Sequence, residues 1–120
     1  VAEIRPITVV EAQRFLISAR KIMDDAEREE LVGHLAFHPS AGAVIPGTGG
    51  VRKLRWALEG RGKRGGARLI YFYYDDDMPL FLLDIYAKNE RTDLTQRERN
   101  ELRSATQLIV ASHKTRKVST

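Results

Sequence analysis

Apolar residues recur along this chain with two different periods, and each change of period marks a new element. Ile7 to Val10 is a short β-branched run suited to an edge strand, and behind it Ala12, Phe15, Leu16, Ala19 and Ile22 fall on one helical stripe. Asp24 followed three residues later by Glu27 has the form of a capping box. From it Leu31, Val32, Leu35 and Ala36 carry a second amphipathic helix to about Phe37, where Pro39 stops it. The segment Pro39 to Gly50 holds Gly42, Pro46, Gly47, Gly49 and Gly50 and reads as a loop, because these residues favour backbone geometries that regular elements do not use.

From Val51 the period is two. Val51, Lys53 and Arg55 alternate with Arg52, Leu54 and Trp56, as in a half-buried strand with Leu54 and Trp56 toward the core. Gly60 to Gly66 is a basic, glycine-rich loop, and Ala67 to Tyr74 is dense enough in aromatic and β-forming residues to predict a central strand. Asp75, Asp76, Asp77 and Pro79 mark a hairpin connection into Leu80 to Ala87, with Phe81, Leu83 and Ile85 on one face and Asp84 and Tyr86 on the other. Thr95 with Glu98 is a second capping-box signature. Leu102, Ala105, Leu108 and Ile109 then supply a helical stripe ahead of a basic tail with His113, Lys114, Arg116 and Lys117. The predicted fold class is α+β, in one domain spanning 1–120. A small antiparallel sheet, formed by a short N-terminal strand plus a three-stranded meander, is packed by two N-terminal helices, with a C-terminal helix.

Composition narrows the class. The 120 residues are 42% hydrophobic and 30% charged, enough for a single core that buries roughly two-thirds of the unfolded surface. No apolar run approaches the roughly 20 residues of a membrane span. There is no cysteine, which removes disulfide and thiolate chemistry, and no secretory pattern opens the chain. The expectation is a cytoplasmic protein without a membrane partner.

The net charge of +4 is modest but unevenly placed. Arg52, Lys53, Arg55, Arg61, Lys63, Arg64 and Arg68 are opposed within their span only by Glu59, while Asp24, Asp25, Glu27, Glu29 and Glu30 gather elsewhere, as do Asp75 to Asp77. Such segregation predicts a dipolar molecule with one phosphate-seeking face. Among other candidates, His34 and His38 stand one helical turn apart, but no third metal ligand accompanies them, so they read as helix surface and no metal or cofactor is expected. The basic loop lacks the spacing of a nucleotide-binding glycine loop.

Two stretches, "GVRKLRWALEGRGKRGGARLIYFYY" at Gly50 to Tyr74 and "IYAKNERTDLT" at Ile85 to Thr95, resemble toxins of the RelE/HigB type. The resemblance covers nearly the whole chain. It implies a sheet packed by helices, ribosome-dependent endoribonuclease cleavage of mRNA, and neutralisation by a cognate antitoxin, often one with a helix-turn-helix domain. The implied chemistry is attack of a ribose 2′-hydroxyl on the adjacent phosphate, whose growing negative charge cations stabilise. The resemblance assigns Arg68 to the phosphate-gripping position and puts Lys88 just beyond the last strand, while strand alternation sets Lys53 and Arg55 on one face. No histidine joins this group, so Lys53, Lys88 and Glu90 are the candidates for proton transfer. Arg52, Arg61, Lys63, Arg64, Asn89 and Arg91 are the expected RNA contacts. The sequence departs from the best-known RelE pattern, which has an arginine where Asn89 stands and a tyrosine where Thr95 stands, so those proton-transfer roles do not carry over. The alternatives are a non-catalytic gyrase inhibitor of the same superfamily and a plain RNA-binding module.

Overall fold

The computed structural model describes residues 5–58, 66–90 and 93–118. In chain order the elements are strand β1 (Val9–Glu11), helices α1 (Gln13–Arg20) and α2 (Asp25–Phe37), strands β2 (Ala43–Val44), β3 (Val51–Trp56), β4 (Ala67–Phe72) and β5 (Leu80–Ala87), and helix α3 (Gln96–Val118). The strands form one sheet in the order β1-β5-β4-β3-β2. The meander β3-β4-β5 is antiparallel, as its short connections require, but β1 pairs with β5 in parallel, Val9 beside Leu80 and Glu11 beside Leu82. The sheet is therefore mixed where a wholly antiparallel one was predicted. A two-residue strand, β2, also emerges from the segment read as loop, pairing Ala43 with Lys53 and Val44 with Arg52.

Both capping boxes form. Asp24 Oδ1 accepts the Glu27 N–H at 2.8 Å and Glu27 Oε1 accepts the Asp24 N–H at 3.1 Å; at α3, Thr95 and Glu98 make the same exchange at 3.1 and 2.9 Å. Each satisfies two N–H groups that the first helical turn leaves without partners.

The sheet is covered on both faces. On one, Phe15 and Ala19 of α1 and Leu31 and Leu35 of α2 bury Leu69, Tyr71, Leu82 and Ile85. Here the Tyr71 hydroxyl accepts the Gly42 N–H and donates to the Pro39 carbonyl, both at 2.8 Å, and burial raises its pKa. The irregular segment 39–42 is thus fastened to the core by a buried phenol. On the other face α3 lies over Val51, Ile70, Phe72 and Tyr86 through Leu102, Ile109 and Val110. Thr106, 2% exposed, donates its hydroxyl to the Thr48 carbonyl at 3.1 Å. Gly49 permits this approach: its φ is +78°, and a Cβ there would come within 2.5 Å of the Thr106 hydroxyl. The predicted stripe is rotated accordingly, with Thr106 inside and Leu108 72% exposed, because the docking face runs Leu102, Thr106, Ile109, Val110.

The predicted faces of β5 need one further correction. Ile70 of β4 stands opposite Asp84, but the next residue, Tyr71, stands opposite Leu82, so Leu83 is the extra residue of a β-bulge. Past the bulge the alternation inverts. Phe81, Leu83 and Tyr86 lie toward α3, while Leu82 and Ile85 face the helix pair, so Ile85 does not share a face with Phe81 and Leu83.

The turn after β4 offers a spectroscopic check. Tyr73 donates its hydroxyl to Asp76 at 2.6 Å, and this bond, with burial and neighbouring carboxylates, pushes its pKa up to about 12. The folded state holds the phenol proton more tightly than the unfolded state, so the contribution is complete below the ordinary tyrosine pKa of 10.0 and is lost as pH rises through the folded value. Ultraviolet titration should show Tyr73 and Tyr71 ionising late, and Tyr73→Phe should remove one tyrosine from that late phase while flattening the alkaline loss of thermal stability.

Candidate functional site

Strand pairing builds a cationic row across the sheet. Arg55 of β3 stands opposite Arg68 of β4, and Arg68 stands opposite Tyr86 of β5. Lys53 lies two residues from Arg55 on the same face. Like charges directly opposite one another destabilise an antiparallel pair, and two adjacent guanidiniums offer a ready grip for an oxyanion. Arg55 is exposed and Arg68 half-buried, its Nη1 donating to the Ala67 carbonyl at 3.3 Å, whereas Tyr86 is only 5% exposed. The row thus runs from a phenol buried under α3 to a solvent-facing guanidinium.

Lys53 is tied to the segment before α3. Its Nζ is 3.6 Å from Asp93 Oδ1, and Arg99 Nη2 is 3.4 Å from Asp93 Oδ2. The Asp93 Oδ1 also accepts the Leu94 N–H at 2.8 Å. That backbone bond, helped by the Lys53 and Arg99 charges and opposed by burial, holds the Asp93 carboxyl below the ordinary aspartate range. The carboxylate is therefore ionised at neutral pH.

Lys88, Asn89 and Glu90 occupy the turn after β5 and are all exposed. The Lys88 N–H donates to the Gly66 carbonyl at 3.1 Å and the Glu90 N–H to the Ala87 carbonyl at 3.0 Å. The Lys88 backbone is thus anchored two residues before Arg68, at the same end of the sheet as the row. Arg52 is on the opposite face of β3 from Lys53 and Arg55, beside Tyr71, and its Nη1 donates to the Gly42 carbonyl at 2.8 Å and the Ser40 carbonyl at 3.3 Å. That geometry gives Arg52 a scaffolding role on the face of the sheet away from Lys53 and Arg55. Arg61, Lys63, Arg64 and Arg91 lie outside the described residues.

Of the predicted site residues the structure brings together Lys53, Arg55 and Arg68, with Lys88, Asn89 and Glu90 at the rim. Sequence reasoning missed Tyr86, because the bulge decides its face, and Asp93 with Arg99, because their partner Lys53 is distant in the chain. Among the described residues no group of three metal-ligating side chains occurs. His34 and His38 make a tilted ring contact with centroids 4.9 Å apart, and His34 is 5.5 Å from Trp56, on the opposite side of the sheet from the row. No helix among the described residues is long and apolar enough to cross a membrane.

Known proteins resemble the chain in sequence and in fold. Residues 44–118 match the family model described as the RelE toxin of the RelE/RelB toxin–antitoxin system. The match spans β2 through α3 and so includes the whole row. The solved structure of a double arginine-to-alanine mutant of the E. coli toxin RelE in the free state is similar in fold. It has a TM-score of 0.50 at 19% sequence identity, covering 71% of this chain and 86% of that one.

Proposed function

The chain belongs to the RelE toxin family, and on that premise we propose that it is a ribosome-dependent endoribonuclease that arrests translation by cutting mRNA. The observation that carries this reading is the row of Arg55, Arg68 and Tyr86 across three strands with Lys53 beside it. A guanidinium grips two phosphate oxygens in a fixed fork, so Arg68, with its backbone set by hydrogen bonding on both sides, is the group suited to the scissile phosphate. Attack by the ribose 2′-oxygen builds charge on the equatorial oxygens and on the departing 5′-oxygen. Arg68 and Arg55 stabilise the first, and the ammonium groups of Lys53 and Lys88 the second. Proton transfer falls among Lys53, Lys88 and Glu90. The scheme uses side-chain cations without a metal.

The partners follow from the same surface. Translated mRNA on the ribosome is the substrate, and a cognate antitoxin, of helix-turn-helix type by family habit, silences the toxin by covering the cationic face, so both would meet it in the cytoplasm. Mapping of mRNA 5′ ends after induced expression should show new cuts within translated messages, and purified toxin should reproduce them only when ribosomes are present. Intact messages alongside gyrase-linked DNA breaks would establish the gyrase-inhibitor alternative, and RNA binding without cuts in either condition would leave a binding module.

A further inference from the structure

Asp93 places a fixed negative charge against a face otherwise suited to anions. Its carboxylate is held by its own neighbour's N–H at 2.8 Å and by Arg99 at 3.4 Å, so its location is set by the start of α3. The Lys53 ammonium, 3.6 Å away, sits at the end of a four-carbon stem that otherwise samples many rotamers. An ammonium has three N–H donors. One directed at Asp93 leaves two for a phosphate oxygen, so the tie restrains Lys53 without using up its donors. Lys53 is also only partly exposed, 35% for its side chain, and stands two residues from Arg55 on the face that carries Arg68.

We infer that Asp93 is a positioning residue: it holds the Lys53 ammonium in place beside the Arg55–Arg68 row, so that the cation meets the transition state already oriented. This rests on the nuclease reading above and assigns to it a residue outside the cationic set. The carboxylate repels RNA, so its contribution is to rate and not to affinity. A misplacement of about 1 Å costs on the order of 100-fold in rate, whereas loss of one repulsive charge leaves phosphate attraction unchanged or stronger.

The test is a double-mutant cycle in the full chain, read as single-turnover cleavage of a defined message on programmed ribosomes. Asp93→Asn should slow cleavage roughly 10- to 100-fold at saturating toxin, with no rise in the half-saturating concentration. In a Lys53→Ala background the same change should have no further effect. Asp93→Glu, which keeps the charge, should recover part of the rate. Unchanged cleavage by Asp93→Asn would overturn the inference while leaving the nuclease reading intact. So would an equal loss in both backgrounds with a lowered melting temperature, which would mark Asp93 as scaffold. A parent protein that cuts no message under these conditions would overturn the nuclease reading, and the role of Asp93 with it.

Discussion

Arg68→Ala should abolish growth arrest on induced expression while the protein stays folded and still binds its antitoxin. A preorganised donor aimed at developing charge is worth about 2.7 to 4 kcal/mol, or roughly 100- to 1,000-fold in rate. The fold should lose far less than it would from a core truncation, since Arg68 is only half-buried and stands at the start of β4. Arg68→Lys keeps the charge but not the two-pronged geometry, and should fall well short of the parent. The readouts are colony growth, the rate of message cleavage and a thermal melt of each variant. Full toxicity in Arg68→Ala, or a loss of toxicity accounted for by an unfolded melt, would strike Arg68 from the site.

Phe15→Ala should fail by the opposite route. Phe15 is 0% exposed and joins α1 to the sheet within the larger core cluster. Truncating a buried phenylalanine costs about 3 to 5 kcal/mol, against a total stability of roughly 5 to 15 kcal/mol for a domain of this kind. The expected result is a large drop in melting temperature and in soluble yield, with toxicity falling in proportion to folded protein. Activity per folded molecule should be unchanged, because α1 covers the face of the sheet opposite the row. A cooperative melt near that of the parent would show that the site collapses around the missing ring.

How far the sequence foretold this molecule depends on the range over which each signal acts. Local signals succeeded. The Asp24–Glu27 and Thr95–Glu98 boxes form, the bounds of β3 and β5 fall where the period-two pattern put them, and Lys53 and Arg55 share a face because alternation allows nothing else. Signals decided by distant partners were not legible. The Leu83 bulge arises in the pairing of β5 with β4, so nothing in Leu80 to Ala87 alone announced that Tyr86 would line up with Arg68. The Lys53–Asp93 contact joins β3 to the approach of α3, with no fixed spacing to betray it. Arg52 looked like its neighbours in composition, yet the opposite pleat turned it into a brace for the carbonyls of Ser40 and Gly42. The helical stripe of α3 was misread by its most apolar members, because a threonine and a glycine at Thr106 and Gly49 determine the docking angle.

The parallel pairing of β1 with β5 bears on how the chain reaches this state. The meander β3-β4-β5 joins neighbours in sequence and carries a small entropic cost of loop closure, whereas β1 must wait for a partner made near the other end of the chain. During synthesis the N-terminal strand and the two helices behind it emerge with their apolar faces unburied. Leu69 and Tyr71 of β4 supply part of the surface they pack on, but that surface and the partner strand of β1 are complete only when Leu80 to Ile85 has been made. The same event completes the three-stranded platform that aligns Arg55, Arg68 and Tyr86. Closure of the core and assembly of the cationic row are thus linked in time, so a truncated chain ending before β5 would lack both a stable fold and an aligned site.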